Sequence, residues 1–294
     1  MTNVLKFQTP VSNVATLSSS ALLVNLTISQ WSGFKYDKKV SAEIDRDNST
    51  TTKVMRANKS LLAGDSALAD IRTVGNMLRT YHNSCTSPWS DTGPRLLPTA
   101  LFFQYKQEMS KLEQQYSQKI NEFLNEYPFK ITQARYALGD LFNPGDYPSV
   151  HDIQSRFSID ISYFPLPESN DFRLDIGKQG LQELKDQYDA LYNESINKAM
   201  TSCWDRLFEQ LTKLSFGLRN ENGEKGKIFD SVLENAVSLC DLLVPLNINN
   251  DTQLDCMRIE LQNALYGVTT EDLRKSDYSR AVLKNAVDDL LGKF

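Results

Sequence analysis

Histidine is nearly absent from this 294-residue chain, with only His82 and His151 present. A His-based catalytic triad or a histidine metal centre therefore has little to draw on. The four cysteines, Cys85, Cys203, Cys240 and Cys256, include no C-x-x-C pair. Four clustered N/S ligands for zinc are lacking, and Cys203, Cys240 and Cys256 sit among apolar residues, as reduced thiols do. No apolar run approaches the roughly 18 residues of a membrane span. The first twenty residues also lack the charged-then-apolar order of a secretory signal. Glycine-rich phosphate loops, the G-x-S-x-G elbow and H-E-x-x-H are missing too. Asp45 with Asp47 reads as a turn, and Asp288 with Asp289 as adjacent helix positions that point apart. These absences predict a cytoplasmic protein with no cofactor and no metal that is not an enzyme.

Hydrophobic residues make up 40% of the chain and charged residues 23%, with a formal net charge of -5. That composition suits a globular fold and advertises neither nucleic acid nor an anionic membrane. Charge is unevenly spread, however. Residues 31–79 hold nine basic and six acidic groups, whereas residues 221–294 hold eight basic and thirteen acidic ones.

The pattern of apolar residues predicts a mostly α protein. Residues 1–20, rich in Ser, Thr and Asn, read as a flexible arm. Leu22, Val24, Leu26 and Ile28 then alternate with polar neighbours, the period of a half-buried strand. The one comparable segment is Ser158–Phe164, so the two are expected to pair as a small two-stranded β element. From Leu101 to Phe123, apolar residues recur every three or four positions, and Pro128 is expected to end that helix before a short successor over 131–142. A second long helix runs from about Gly180 to Leu218, with Leu181, Leu184, Tyr188, Leu191, Met200, Cys203, Leu207, Leu211, Leu214 and Leu218 on its stripe. It would span ~55 Å, and a helix of that length needs cover for its stripe. The expected cover is the first long helix, giving a long antiparallel helical pair. The segment Asn220–Gly226 reads as a break between a main domain over 21–219 and a C-terminal helical subdomain over 227–294. Short helices are expected there at 227–244, 251–265 (capped at Asp251/Thr252), 270–274 and 279–291.

Two segments offer candidate sites. Between Thr86 and Pro98, Trp89, Asp91 and Arg95 are braced by three prolines, a stiff loop suited to binding a partner. The competing structural reading is a connector in which Trp89 fills the core and Asp91 pairs with Arg95. The second segment sets Lys35, Lys38, Lys39, Lys53, Arg56 and Lys59 near Trp31, Phe34 and Tyr36, the basic-plus-aromatic mixture of single-strand nucleic-acid binders. Lys35, Lys38 and Lys39 would share one face of a short helix. The closing Asp288-Asp289-Leu290-Leu291-Gly292-Lys293-Phe294 is loosely similar to the acidic tails of bacterial single-strand binding proteins.

Several phrases occur in order: Ile28-Ser29-Gln30-Trp31-Ser32-Gly33, Tyr36-Asp37-Lys38-Lys39-Val40, Pro88-Trp89-Ser90-Asp91-Thr92-Gly93-Pro94-Arg95-Leu96-Leu97-Pro98, Leu138-Gly139-Asp140-Leu141-Phe142, Asp146-Tyr147-Pro148, Phe164-Pro165-Leu166-Pro167 and Asp171-Phe172-Arg173. Together they resemble a family of bacteriophage, plasmid and integrative-element proteins of unknown function, over roughly residues 20–216. The family has no established activity, so no catalytic residue carries over. The resemblance implies a gene neighbourhood with MoxR-type AAA+ ATPases and von Willebrand factor A-domain proteins, and hence an adaptor or regulator of the ATPase. The expectation is a homo-oligomeric interaction protein, simplest as a symmetric dimer. The alternative is single-stranded nucleic-acid binding in phage replication, recombination or transcription.

Overall fold

The computed structural model describes residues 19–166, 177–221 and 224–294. The flexible arm expected over 1–20 lies outside these except for Ser19 and Ser20, and Asp171-Phe172-Arg173 lies wholly outside them. The fold is mostly α with a small antiparallel sheet.

Strand β1 (Ala21–Ser29) runs between β5 (Arg95–Pro98) and β6 (Ser158–Pro165), with β4 (Ser87–Pro88) at the outer edge of β5. The anticipated neighbours, β1 and β6, are thus adjacent. The sheet has four strands rather than two, because the segment read as a loop contains β4 and β5. Ala21 pairs with Pro98, Leu22 with Leu97, Leu23 with Leu96 and Val24 with Arg95. The first half of β1 buries consecutive residues, Leu23 and Val24, so both faces of the strand are covered there, and alternation holds only beyond Asn25.

Contacts gather the chain into two units, divided elsewhere than at the Asn220–Gly226 break. One comprises the described residues up to Asn25 with His82–Tyr105 and Ser162–Phe294; the other comprises Leu26–Tyr81 and Lys106–Ile161.

The first unit is built on α5 (Gly177–Gly217), which packs against α6 (Asp230–Leu246) and α9 (Asp277–Leu291); α7 (Thr252–Leu265) and α8 (Thr270–Lys275) complete it. Leu207, Leu211 and Leu214 of α5 meet Leu233, Ala236, Cys240 and Leu243 of α6 and Leu283 and Val287 of α9 in one core. The stripe of α5 enters through Tyr192 and Ile196, while Leu191, expected on it, is 62% exposed. At 3.6 residues per turn, a stripe fixed at Leu207 reaches back to 196 and 192 rather than 191.

Asp251 caps α7 through Gln253 N and Leu254 N and accepts the Trp204 indole N–H at 3.0 Å, which ties the cap to α5. The Phe294 ring lies against Trp204 and Phe208. Cys85, Cys203 and Cys240 are buried thiols, whereas Cys256, placed among apolar residues by its sequence, is exposed on α7.

The end of α5 turns through a short hairpin, β7 (Asn220–Glu221) and β8 (Glu224–Lys225), to Gly226. A Cβ on Gly226 would lie 2.8 Å from the Gly217 carbonyl oxygen, so only glycine lets the two backbones approach. The guanidinium of Arg280 in α9 fills this corner. It donates to the carbonyls of Gly217, Leu218, Arg219, Gly226 and Leu273.

In the second unit, β2 (Phe34–Tyr36) and β3 (Asn58–Ser60) pair antiparallel around α1 (Lys38–Asp47), which Asp37 caps. Helix α2 (Ala67–Cys85) enters this unit, as does most of α3 (Phe102–Leu138); α4 (Val150–Gln154) completes it. Trp31, Phe123, Tyr127 and Phe157 form an aromatic cluster with ring centroids 5.6 to 6.1 Å apart. Pro128 does not end α3, which runs continuously to Leu138. Losing one ladder hydrogen bond costs a helix a few kcal/mol. Buried Phe123, Leu124 and Tyr127 on one side of Pro128 and Ala134 on the other offset that loss.

Candidate functional site

The hairpin joining β4 to β5 separates the three residues singled out as a binding site. Ser87 pairs with Leu96 and Pro88 with Arg95, which leaves Trp89–Pro94 as the connecting loop. Trp89 is half-buried and meets Tyr192 edge-on at 5.3 Å, so the loop is seated on an aromatic side chain of α5. Asp91 stands out at the tip with its side chain 88% exposed, and Lys198 of α5 pairs with it at 3.0 Å. Lys198 also pairs with Glu194. The expected Asp91–Arg95 pair does not form, because Arg95 lies on the strand and turns the other way. Its Nε donates to the Thr86 hydroxyl at 2.7 Å and its Nη2 to the Thr86 carbonyl at 3.0 Å.

A second guanidinium meets Arg95 there. Arg206 of α5 donates to the carbonyls of Asn83, Ser84 and Thr86, where α2 ends. Cations belong at the negative end of a helix, and these carbonyls would otherwise be orphaned. Burial and the charge of Arg206 lower Arg95 to about 10. Burial likewise lowers Arg206. His82, one turn back on α2, is buried and hydrogen-bonded through Nδ1 to the Tyr105 hydroxyl at 2.7 Å. Desolvation and the charge of Arg95 push it down to about 4, so it is neutral at pH 7. Arg206 and His82 form no part of the constellation that the sequence suggests. Only the fold brings α5 to the end of α2, so no local pattern could reveal them.

The basic segment is also reordered. Lys35 lies on β2 rather than on a helix face with Lys38 and Lys39. It stands directly opposite Lys59 in the β2–β3 register. Like charges in that position repel. Asp146 relieves the repulsion, lying 2.8 Å from Lys35 Nζ and 2.5 Å from Lys59 Nζ. Lys59 also donates to the Leu141 carbonyl. Lys38, Lys39 and Lys53 are exposed, and Arg56 sits 5.2 Å above the Tyr36 ring. Asp45, expected in a turn, is in the last turn of α1 and accepts from Val54 N and Met55 N. Asp288 on α9 pairs with Lys284 and accepts from Ser215.

Burial alone would raise the Asp146 carboxyl, but hydrogen bonds from Lys35 and Lys59 outweigh it and hold the group below the usual carboxylate range. The stability this carries is present above a normal carboxylate pKa and is lost as pH falls through the lowered one. Asp146→Asn is expected to cost about 2 kcal/mol, because two facing ammonium groups would lose their shared counter-ion. Urea unfolding at pH 7 measures it. A cost that stays near zero would mean the lysines swing into solvent freely.

Among the described residues, no group of three or more His, Cys, Asp or Glu side chains could hold a metal ion. None of the described helices is long and apolar enough to cross a membrane. Comparison with family models, curated proteins and solved structures gives no match to this chain.

Proposed function

We propose that this chain is a non-enzymatic interaction protein of a phage or mobile element, working in the bacterial cytoplasm as an adaptor or regulator of a MoxR-type AAA+ ATPase. The observation that carries the reading is the hairpin loop Trp89–Pro94. It is seated on Tyr192 through Trp89 and carries the outward Asp91–Lys198–Glu194 charge cluster at its tip. A loop anchored by an aromatic ring loses little conformational entropy when a partner covers it. The phrases that resemble the phage and plasmid family include this loop, and that resemblance supplies the ATPase as the partner to try first. In this reading the helices after residue 227 act as a C-terminal subdomain, and self-association as a symmetric dimer places two loops on one assembly.

Affinity purification of the tagged chain alongside a MoxR-type ATPase, in nuclease-treated and untreated halves, tests the proposal. The ATPase should be retained in both. Trp89→Ala and Asp91→Arg should each weaken retention about tenfold or more while leaving urea unfolding cooperative. Retention unchanged in both variants would remove the loop from the interface.

A second reading, single-strand nucleic-acid binding, is favoured by the Arg56–Tyr36 stack with exposed Lys38, Lys39 and Lys53 beside it. Lys35 and Lys59, committed to Asp146, add little free charge to it. It predicts affinity for single strands that falls steeply with salt and is lost on Lys38→Glu with Lys39→Glu. Binding that ignores salt would count against it.

A further inference from the structure

Two guanidinium groups converge on one carbonyl oxygen, that of Thr86, and neither has a carboxylate within ion-pair reach among the described residues. Partly buried charges are ordinarily paired. The counter-charge on hand is the end of α2, and a helix C-terminus is equivalent to about half an elementary charge. Two unit positive charges therefore stand against roughly half a negative one. Glu209, one turn beyond Arg206, attracts it only weakly and is drawn toward Lys213 at 3.7 Å. His82, whose ring feels the Arg95 charge, supplies no negative charge and is itself kept neutral.

Donors also remain. Arg95 bonds through Nε and Nη2, leaving both Nη1 hydrogens without an acceptor among the described residues. Arg206 bonds through Nη1 and Nη2, leaving Nε without an acceptor among the described residues. Both side chains are only partly buried, so solvent reaches the pair. The groups are held rather than mobile, since five hydrogen bonds to backbone and Thr86 fix their planes. Planar donors with fixed spacing and surplus positive charge match an oxyanion, whose oxygens accept from two guanidinium groups at once.

We infer that Arg95 and Arg206, braced on Thr86 at the end of α2, form a binding site for an oxyanion of the phosphate or carboxylate class. The site is distinct in its chemistry from the charge cluster at the loop tip and does not depend on any partner being captured there. Occupation would neutralise the surplus charge and stabilise the native state by mass action.

The test is thermal unfolding of the full chain in inorganic phosphate, in acetate and in phosphoserine, each against sodium chloride at matched ionic strength. A midpoint rise of about 3 °C or more over chloride is expected in at least one of them, and which one responds separates the sources. The rise should vanish in Arg95→Gln, which can keep a bond to Thr86 without the charge. Equal midpoints in all four salts would overturn the proposal, as would a rise that survives in Arg95→Gln. Should that variant fail to fold, the wild-type chain decides. The Arg95 Nε–H resonance should shift saturably with the responding anion, and no shift at any concentration would overturn the site.

Discussion

Acidification from pH 7 to pH 4 is expected to cost the fold about 3 kcal/mol through His82 alone. An unfolded histidine titrates near 6.5, whereas His82 in the folded chain titrates at about 4. Between those values the unfolded state binds the proton and the native state does not, so stability falls as pH falls. Above 6.5 neither state is protonated and the contribution is flat. Each pH unit in the window is worth about 1.4 kcal/mol. The causes are burial, His82 being 5% exposed, and then the Arg95 charge. Protonation would place a third positive charge beside two guanidinium groups that have no carboxylate partner among the described residues. Carboxylates such as Asp146 also lose stability in acid, so the measurement is a difference. Urea unfolding of wild type and His82→Gln is compared at pH 7 and pH 4. The wild type should lose about 3 kcal/mol more than the variant. Parallel losses, or an NMR titration of His82 near 6.5, would refute the assignment.

Arg280→Met should destabilise the first unit by about 3 kcal/mol or more, although methionine keeps most of the apolar stem. Arg280 is 3% exposed. Its guanidinium satisfies the Gly217 and Leu218 carbonyls at the end of α5, the Arg219 and Gly226 carbonyls across the hairpin, and the Leu273 carbonyl of α8. Five acceptors in one enclosed corner cannot all find water when the donor goes, and each one left unpaired carries a desolvation penalty. Lysine is not a substitute. Its point charge cannot span acceptors spread over three segments, so Arg280→Lys should recover less than half of the loss. Urea unfolding gives the magnitude, and hydrogen exchange at the end of α5 and across α9 gives the location. A cost below about 1 kcal/mol in Arg280→Met would mean that the corner admits water and the clamp is incidental.

Elements governed by local pattern are legible in the amino-acid sequence. The apolar spacing from Leu101 to Phe123 is helical because the spaced residues share one face of the helix: Leu101, Tyr105, Met109, Leu112, Tyr116 and Phe123 are buried and Ile120 is half-buried. Asp251 as a helix cap follows from a short side chain that reaches the backbone N–H groups of the next turn, a purely local bond. Alternation along β1 and β6 marks both as strands, and they are neighbours in the sheet. Pro128 misleads because its penalty is local and calculable, whereas the aromatic packing that offsets it comes from Trp31 and Phe157.

The candidate sites are less legible. Trp89, Asp91 and Arg95 lie within seven residues, which suggests one constellation, but a strand after the loop turns Arg95 to the opposite side. Lys35 and Lys59 read as free charge because Asp146, which binds both, lies about 110 and about 90 residues further along. Helical spacing and caps come from interactions over three or four residues, so composition and spacing determine them. Which charge meets which is decided only when distant segments are brought within a few ångströms. Side-chain electrostatics fall off over that same distance, and for that reason Asp146, Arg206, His82 and Arg280 acquire their roles from the tertiary structure alone.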